Sequence, residues 1–132
     1  MNFLEKTQLL NNVLQEIVYI APKNWGEITY YVERLIDENL GLRRGSMAKC
    51  WLLPNMSEYN ESKGPAITVS FDLLEAEDNL FWKSDEAGET WCGLVINVNN
   101  AGKYLSKFYY EGTPLLDGND AELSKRLAEI NP

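Results

Sequence analysis

The stretch from Cys92 to Tyr110 constrains the fold more than any other. Cys92, Leu94, Ile96 and Val98 alternate with Gly93, Val95 and Asn97, the period-two pattern of a strand that turns one face, here the first set, to a core. "NNAG" follows, where Gly102 can take the positive φ that short hairpin loops require. Successive side chains on a strand point to opposite sides. The return arm therefore sets Tyr104, Phe108 and Tyr110 on one face, and Leu105, Lys107 and Tyr109 on the other. One ring of the adjacent pair Tyr109 and Tyr110 must look outward or be covered by another element.

The rest of the chain supplies partners for this hairpin. Residues 3 to 21 carry Phe3, Leu10, Val13, Leu14, Ile17 and Ala21 on one apolar stripe, a helix that Pro22 stops. In "NWGEITYYVERLIDENLGLRRG", Ile28, Tyr31, Val32 and Leu35 fit a helix, while Ile28, Tyr30 and Val32 fit a strand. The β-branched and aromatic run "ITYYV" favours the strand. "NLGLRRGS" reads as a turn that places Arg43 and Arg44 in a solvated loop, and "MAKCWLLP" as a second strand ended by Pro54. "NMSEYNESKGP" is polar and irregular. A second helix is expected to begin near Ser70 or Asp72, either of which can cap it, with Leu73, Leu80, Phe71, Leu74 and Phe81 toward the core and Gly88 as terminator. The closing segment "GNDAELSKRLAEINP" has Asn119 or Asp120 as cap and Leu123, Leu127 and Ile130 on one face. The expectation is one α+β domain over residues 1–132: a small antiparallel sheet of about four strands with helices, in the order α-β-β-α-β-β-α.

Composition narrows the chemistry. The chain has no histidine, so it lacks the usual general base near neutral pH and the commonest metal ligand. Neither a G-x-x-x-x-G-K-[ST] nor a G-x-G-x-x-G loop occurs. A carboxylate-only enzyme would have to use Asp85 with Glu89, or Asp117 with Asp120, and nothing else points to one. No catalytic residue, metal or cofactor is expected. Cys50 and Cys92 sit in strand-like apolar contexts and read as small core residues rather than a disulfide. The opening "MNFLEKTQLLNN" does not read as a signal peptide, and the expected location is cytoplasmic.

Charge is uneven. Residues 1–63 hold seven basic and eight acidic side chains; residues 64–132 hold five and twelve, which makes the second half the source of nearly all of the net −8. Such a field disfavours nucleic acid; it suits a basic protein partner, or simply keeps the chain soluble.

Three stretches then resemble a known family: "IAPKNWGEITYYV", "ETWCGLVINVNNAGKYLSKFYYEGTPLLDG" and the closing helix are similar to the YezG-like immunity proteins. Trp25, Trp91, Gly102, Lys103, Phe108 and Tyr110 match family-like positions, mostly ones that build a fold. The middle departs from the pattern, because the helix after "YNESKGPAITVSF" looks short. The resemblance implies a cytoplasmic antitoxin paired with a secreted polymorphic toxin of bacteria, often a nuclease, and inhibition by direct binding without catalysis. The alternative is a non-enzymatic adaptor or homo-oligomeric domain. Candidate partner-binding residues are the acids of the second helix and its exit (Glu75, Glu77, Asp78, Asp85 and Glu86) and an anchor-and-charge cluster of Tyr109, Tyr110, Glu111, Asp117 and Asp120.

Overall fold

The computed structural model describes residues 1–130; the last two positions of the closing segment lie outside the described residues. In chain order the elements are α1 (Phe3–Tyr19), β1 (Trp25–Asp37), β2 (Gly41–Leu52), β3 (Ser57–Glu58), α2 (Phe71–Glu86), β4 (Gly93–Asn99), β5 (Tyr104–Tyr109), α3 (Pro114–Asp117) and α4 (Asp120–Ala128). The strands form one antiparallel sheet in the order β3-β2-β1-β4-β5. The class is α+β, as expected, but there are five strands and two closing helices. The extra strand, β3, lies in the segment read as irregular; its two residues pair with Trp51 and Leu52. So short an element carries no periodicity of its own, and its neighbour imposes it. α2 is a full helix of 16 residues rather than a short one.

Helices cover both faces of the sheet, and this changes the reading of every central strand. Ile28, Tyr30 and Val32 of β1 pack with Leu94, Ile96 and Val98 of β4 beneath α1 and α2. Tyr31 and Val95 face the opposite way, into a second core made by Leu123, Leu127 and Ile130. "ITYYV" is ambiguous as a sequence because a strand buried on both sides reads as a continuous apolar run. For the same reason the hairpin is not one-sided: Gly93, Val95 and Asn97 are as buried as Leu94 and Ile96. The turn after β1 is confined to Glu38–Leu40, so Arg43 and Arg44 stand on β2 and not in a loop.

Local signals account for the helix ends. Asn2 accepts the Glu5 N–H at 2.8 Å, Ser70 Oγ accepts the Leu73 N–H at 3.1 Å, and Asn119 accepts the Glu122 N–H at 3.2 Å. Gly88, in left-handed conformation with φ 74°, follows the end of α2. Phe3, expected in the apolar stripe, is exposed; one turn later Lys6 Nζ sits 4.4 Å from the Phe108 ring centre. Buried Trp91 meets Phe81 of α2 edge-on at 5.4 Å and Phe108 of β5 at 5.9 Å, which ties helix to hairpin. Both cysteines are free. No helix among the described residues is long and apolar enough to cross a membrane.

Candidate partner-binding surface

The acids of α2 were expected to make one negative surface. The structure divides them. Glu77 is 1% exposed: one carboxylate oxygen accepts the Tyr30 hydroxyl, and the other accepts Arg34 Nη2 at 2.6 Å. Arg34 Nε donates to Asp78 Oδ1 at 2.9 Å, and Arg44 donates to the same carboxylate through Nε at 3.1 Å and Nη2 at 2.8 Å. Arg34 Nη1 closes the network on the Glu33 carbonyl at 2.9 Å. Burial raises the Glu77 carboxyl above its ordinary range against the pull of Arg34. Burial also works against the charge of Asp78, but hydrogen bonds from Arg44 and Arg34 outweigh it and hold that carboxyl low. Glu77 and Asp78 are therefore neutralised from within, and they are not free contacts for a partner. Glu77 shares its helix face with Leu73, Leu80 and Phe81, the side turned to the sheet.

At 3.6 residues per turn, the opposite side of α2 carries Phe71, Glu75, Trp82 and Glu86 on one stripe. Phe71, expected in the core, is 76% exposed, and Trp82 is 41% exposed with its ring edge-on to Phe81 at 5.2 Å. Beside this stripe runs an open groove of about 230 Å³ between α1 and α2, lined by Asn12, Gln15, Glu16, Asp72, Glu75 and Asn79. Glu16, Asp72 and Glu75 enter no ion pair among the described residues. Exposed large rings beside unpaired carboxylates make this stripe the candidate contact surface. Asp85 is half-buried and accepts the Thr90 hydroxyl at 2.7 Å; exposed Glu86 lies 3.8 Å from Lys83.

The second group of candidates belongs to the other face of the sheet. Glu33, 0% exposed, accepts the Tyr31 hydroxyl and the N–H groups of Leu115 and Leu116, both at 2.9 Å, and so pins α3 to β1. Arg126 of α4 donates to the Tyr31 hydroxyl and the Gly112 carbonyl, each at 3.0 Å, and to the Glu111 carbonyl at 2.6 Å. Its guanidinium lies 4.2 Å from the centre of the Tyr109 ring. Tyr109 donates its hydroxyl to Glu129 at 2.7 Å, and burial raises that phenol well above its usual range. Tyr109 is thus half-buried, held by Arg126 of α4 and by Glu129 just past its end. Tyr110 is the outward ring of the pair, 54% exposed, and accepts Lys6 Nζ at 3.4 Å. The Glu111 side chain and Asp120 are exposed, as is Asp117, which accepts the Thr113 hydroxyl at 3.1 Å. α2 and α4 cover opposite faces, so the ten expected residues do not form one surface.

Sequence reasoning passed over Glu33, Arg34 and Arg126. Charges inside the apolar run "YYVERLI" were a readable sign of buried pairing. Phe71 and Trp82, three helical turns apart, were a readable stripe as well. Glu16 and Asp72 were not readable together, because only the packing of α1 on α2 brings them to one groove.

Among the described residues no three Cys, Asp or Glu side chains converge as a metal set. Burial raises both thiols, Cys50 and Cys92, away from the reactive thiolate. The chain matches no known family model, and no curated protein matches it at a significant level. Of the positions that carry the resemblance noted above, Trp91 and Phe108 form the aromatic tie, Trp25 packs at the margin of the main core, Gly102 takes φ 84° in the hairpin turn, and Lys103 and Tyr110 are exposed.

Proposed function

We propose that this protein is an immunity protein that neutralises a cognate bacterial toxin, a basic nuclease-type domain, by direct binding. The observation that carries this reading is the outer stripe of α2, where Phe71 and Trp82 are exposed among the unpaired carboxylates Asp72, Glu75 and Glu16. A nuclease groove is basic because it must attract phosphates. A rigid helix with carboxylates in register supplies the matching field, and two large rings give the desolvated anchors that hold a complex once formed. The net charge of −8 extends the same attraction beyond contact distance and speeds encounter. Inhibition on this model is occlusion, and needs no turnover.

The test pairs the protein with the basic toxin domain encoded by a neighbouring reading frame. Expected are a one-to-one complex, survival of cells that express both, and an association rate that falls as salt rises. Replacing Phe71 and Trp82 together by Ala should abolish protection while the protein stays folded. Protection that survives this double change, with an association rate indifferent to ionic strength, removes the stripe from the mechanism.

A further inference from the structure

The two edges of the sheet are finished differently. On one side, Ser57 and Glu58 close the end of β2, the Tyr59 N–H donates to the Cys50 carbonyl at 2.7 Å, and the far part of β2 carries Arg43, which no carboxylate among the described residues holds, while Arg44 is drawn onto Asp78. Short pairing and charge are the usual means of blocking a sheet edge. On the other side β5 is last in the order, and no strand among the described residues pairs beyond it. Its Lys107 does not guard the margin: it is turned onto the α4 face, where Glu129 holds it at 2.7 Å.

Register settles which backbone groups are free. Asn99 pairs with Lys103 through an N–H···O bond of 3.0 Å, and Asn97 stands opposite Leu105 and Val95 opposite Lys107. In an antiparallel ladder, hydrogen-bonding positions alternate along a strand. Lys103, Leu105 and Lys107 thus point their backbone groups at β4, while Tyr104, Ser106 and Phe108 point theirs outward.

We propose that β5 pairs antiparallel with β5 of a second copy of this chain, with Ser106 facing the partner's Ser106 on the two-fold axis. This register uses the outward groups of Tyr104, Ser106 and Phe108 on both chains. It sets Tyr104 opposite the partner's Phe108 and Leu105 opposite the partner's Lys107, so no two lysines stand directly across from each other. It also covers apolar surface that the monomer leaves open: Tyr104, Leu105 and, across an adjoining groove of about 410 Å³, Val18 and Tyr19 of α1. Charge is compatible with the same edge, since Glu129 already holds Lys107. The unpaired acids of α2 belong to a helix held over β1 and β2 by Arg34 and Arg44, whereas Lys6, Lys103 and Lys107 border β5. Two copies of an acidic chain meet here without apposing those acids, and the α2 stripe stays free.

Sedimentation equilibrium over a wide concentration range tests the pairing, with circular dichroism to confirm folding. The expected result is a reversible dimer. Leu105 is 52% exposed, so charged replacements there leave the fold intact. Leu105→Glu, placed across from the partner's Lys107, should tighten the dimer several-fold, and Leu105→Lys should loosen it several-fold. Ser106→Cys should cross-link under mild oxidation into a covalent dimer. Opposite signs at Leu105 together with the cross-link establish this register. A chain that sediments as monomer throughout overturns the proposal, as does a dimer in which both Leu105 variants shift the same way. The α2 surface is untouched by these changes, so toxin binding stands or falls separately.

Discussion

Glu75 and Glu77 are two positions apart on α2 and live in opposite surroundings. Glu77 faces the sheet, closed in by Tyr30 and Arg34; Glu75 lines an open groove and forms no ion pair among the described residues. The contrast shows that the formal charge of a helix says little about the field it presents. The inner carboxylates are internal partners of Arg34 and Arg44, and only the outer ones can steer another molecule. Function on this reading belongs to the outer face, and stability to the inner one.

The sharpest break in that contrast is expected at Glu77. Glu77→Ala leaves Arg34 with one buried partner fewer and should cost roughly 3–5 kcal/mol in urea unfolding. Toxin affinity of the protein that remains folded should be unchanged. Replacing Arg34 by Met together with Glu77 by Leu should cost less than Glu77→Ala alone, since no charge is then stranded. If the single change proves harmless, the ion pair has been misjudged as a structural element.

Next in size is Trp82→Ala. It should weaken toxin binding by about 2 kcal/mol or more, the scale of an aromatic hot spot. The unfolding free energy should move by less than about 1 kcal/mol, because the ring is partly exposed. A calorimetric titration beside a denaturation curve separates the two effects. Equal losses in both would merge the faces that the structure keeps apart.

Glu75→Lys comes third. Stability should change by no more than about 0.5 kcal/mol, while stopped-flow association slows and loses part of its salt dependence. An unchanged rate would move steering to other acids, such as Glu111 or Asp120.

The smallest effect concerns acid. The Asp78 carboxyl is held below its ordinary 3.8, so its contribution is complete above that pH and is lost as pH falls through the lower folded value. Glu77, raised by burial, has the opposite sign: its burden on the fold is relieved as pH drops through its folded value toward the ordinary 4.5. Asp78→Asn should therefore flatten the acid limb of the stability curve below about pH 4, and Glu77→Gln should not. Parallel limbs in wild type and Asp78→Asn would show that Arg34 and Arg44 do not depress this group.

Much of the architecture could be read beforehand from particular residues. Alternation from Cys92 to Val98 and Gly102 located the hairpin, Ser70 and Asn119 marked helix starts, and β-branched residues in "ITYYV" chose strand over helix. Less of the candidate surface was readable. Glu75 and Glu86 were expected on an exposed helix face and are there, whereas Glu77, Asp78 and Tyr109 were expected outside: Glu77 is buried, and Asp78 and Tyr109 are half-buried and bonded to Arg44 and Glu129 respectively. Each error has one origin: the second covering layer, α3 and α4, and the reach of Arg34 and Arg44 are long-range facts that no local window contains.

The sequence by itself determined the elements, since backbone propensity, capping and side-chain period act between near neighbours. It also determined the limits on chemistry, because a chain without histidine or a phosphate loop cannot run the reactions that need them. Only the tertiary structure decided which charges are surface and which are internal. An amphipathic pattern states that one side of an element is apolar; what lies against the other side depends on residues far along the chain. Arg34 meets Glu77 and Arg126 meets Tyr109 only after the sheet has closed between its two layers of helices.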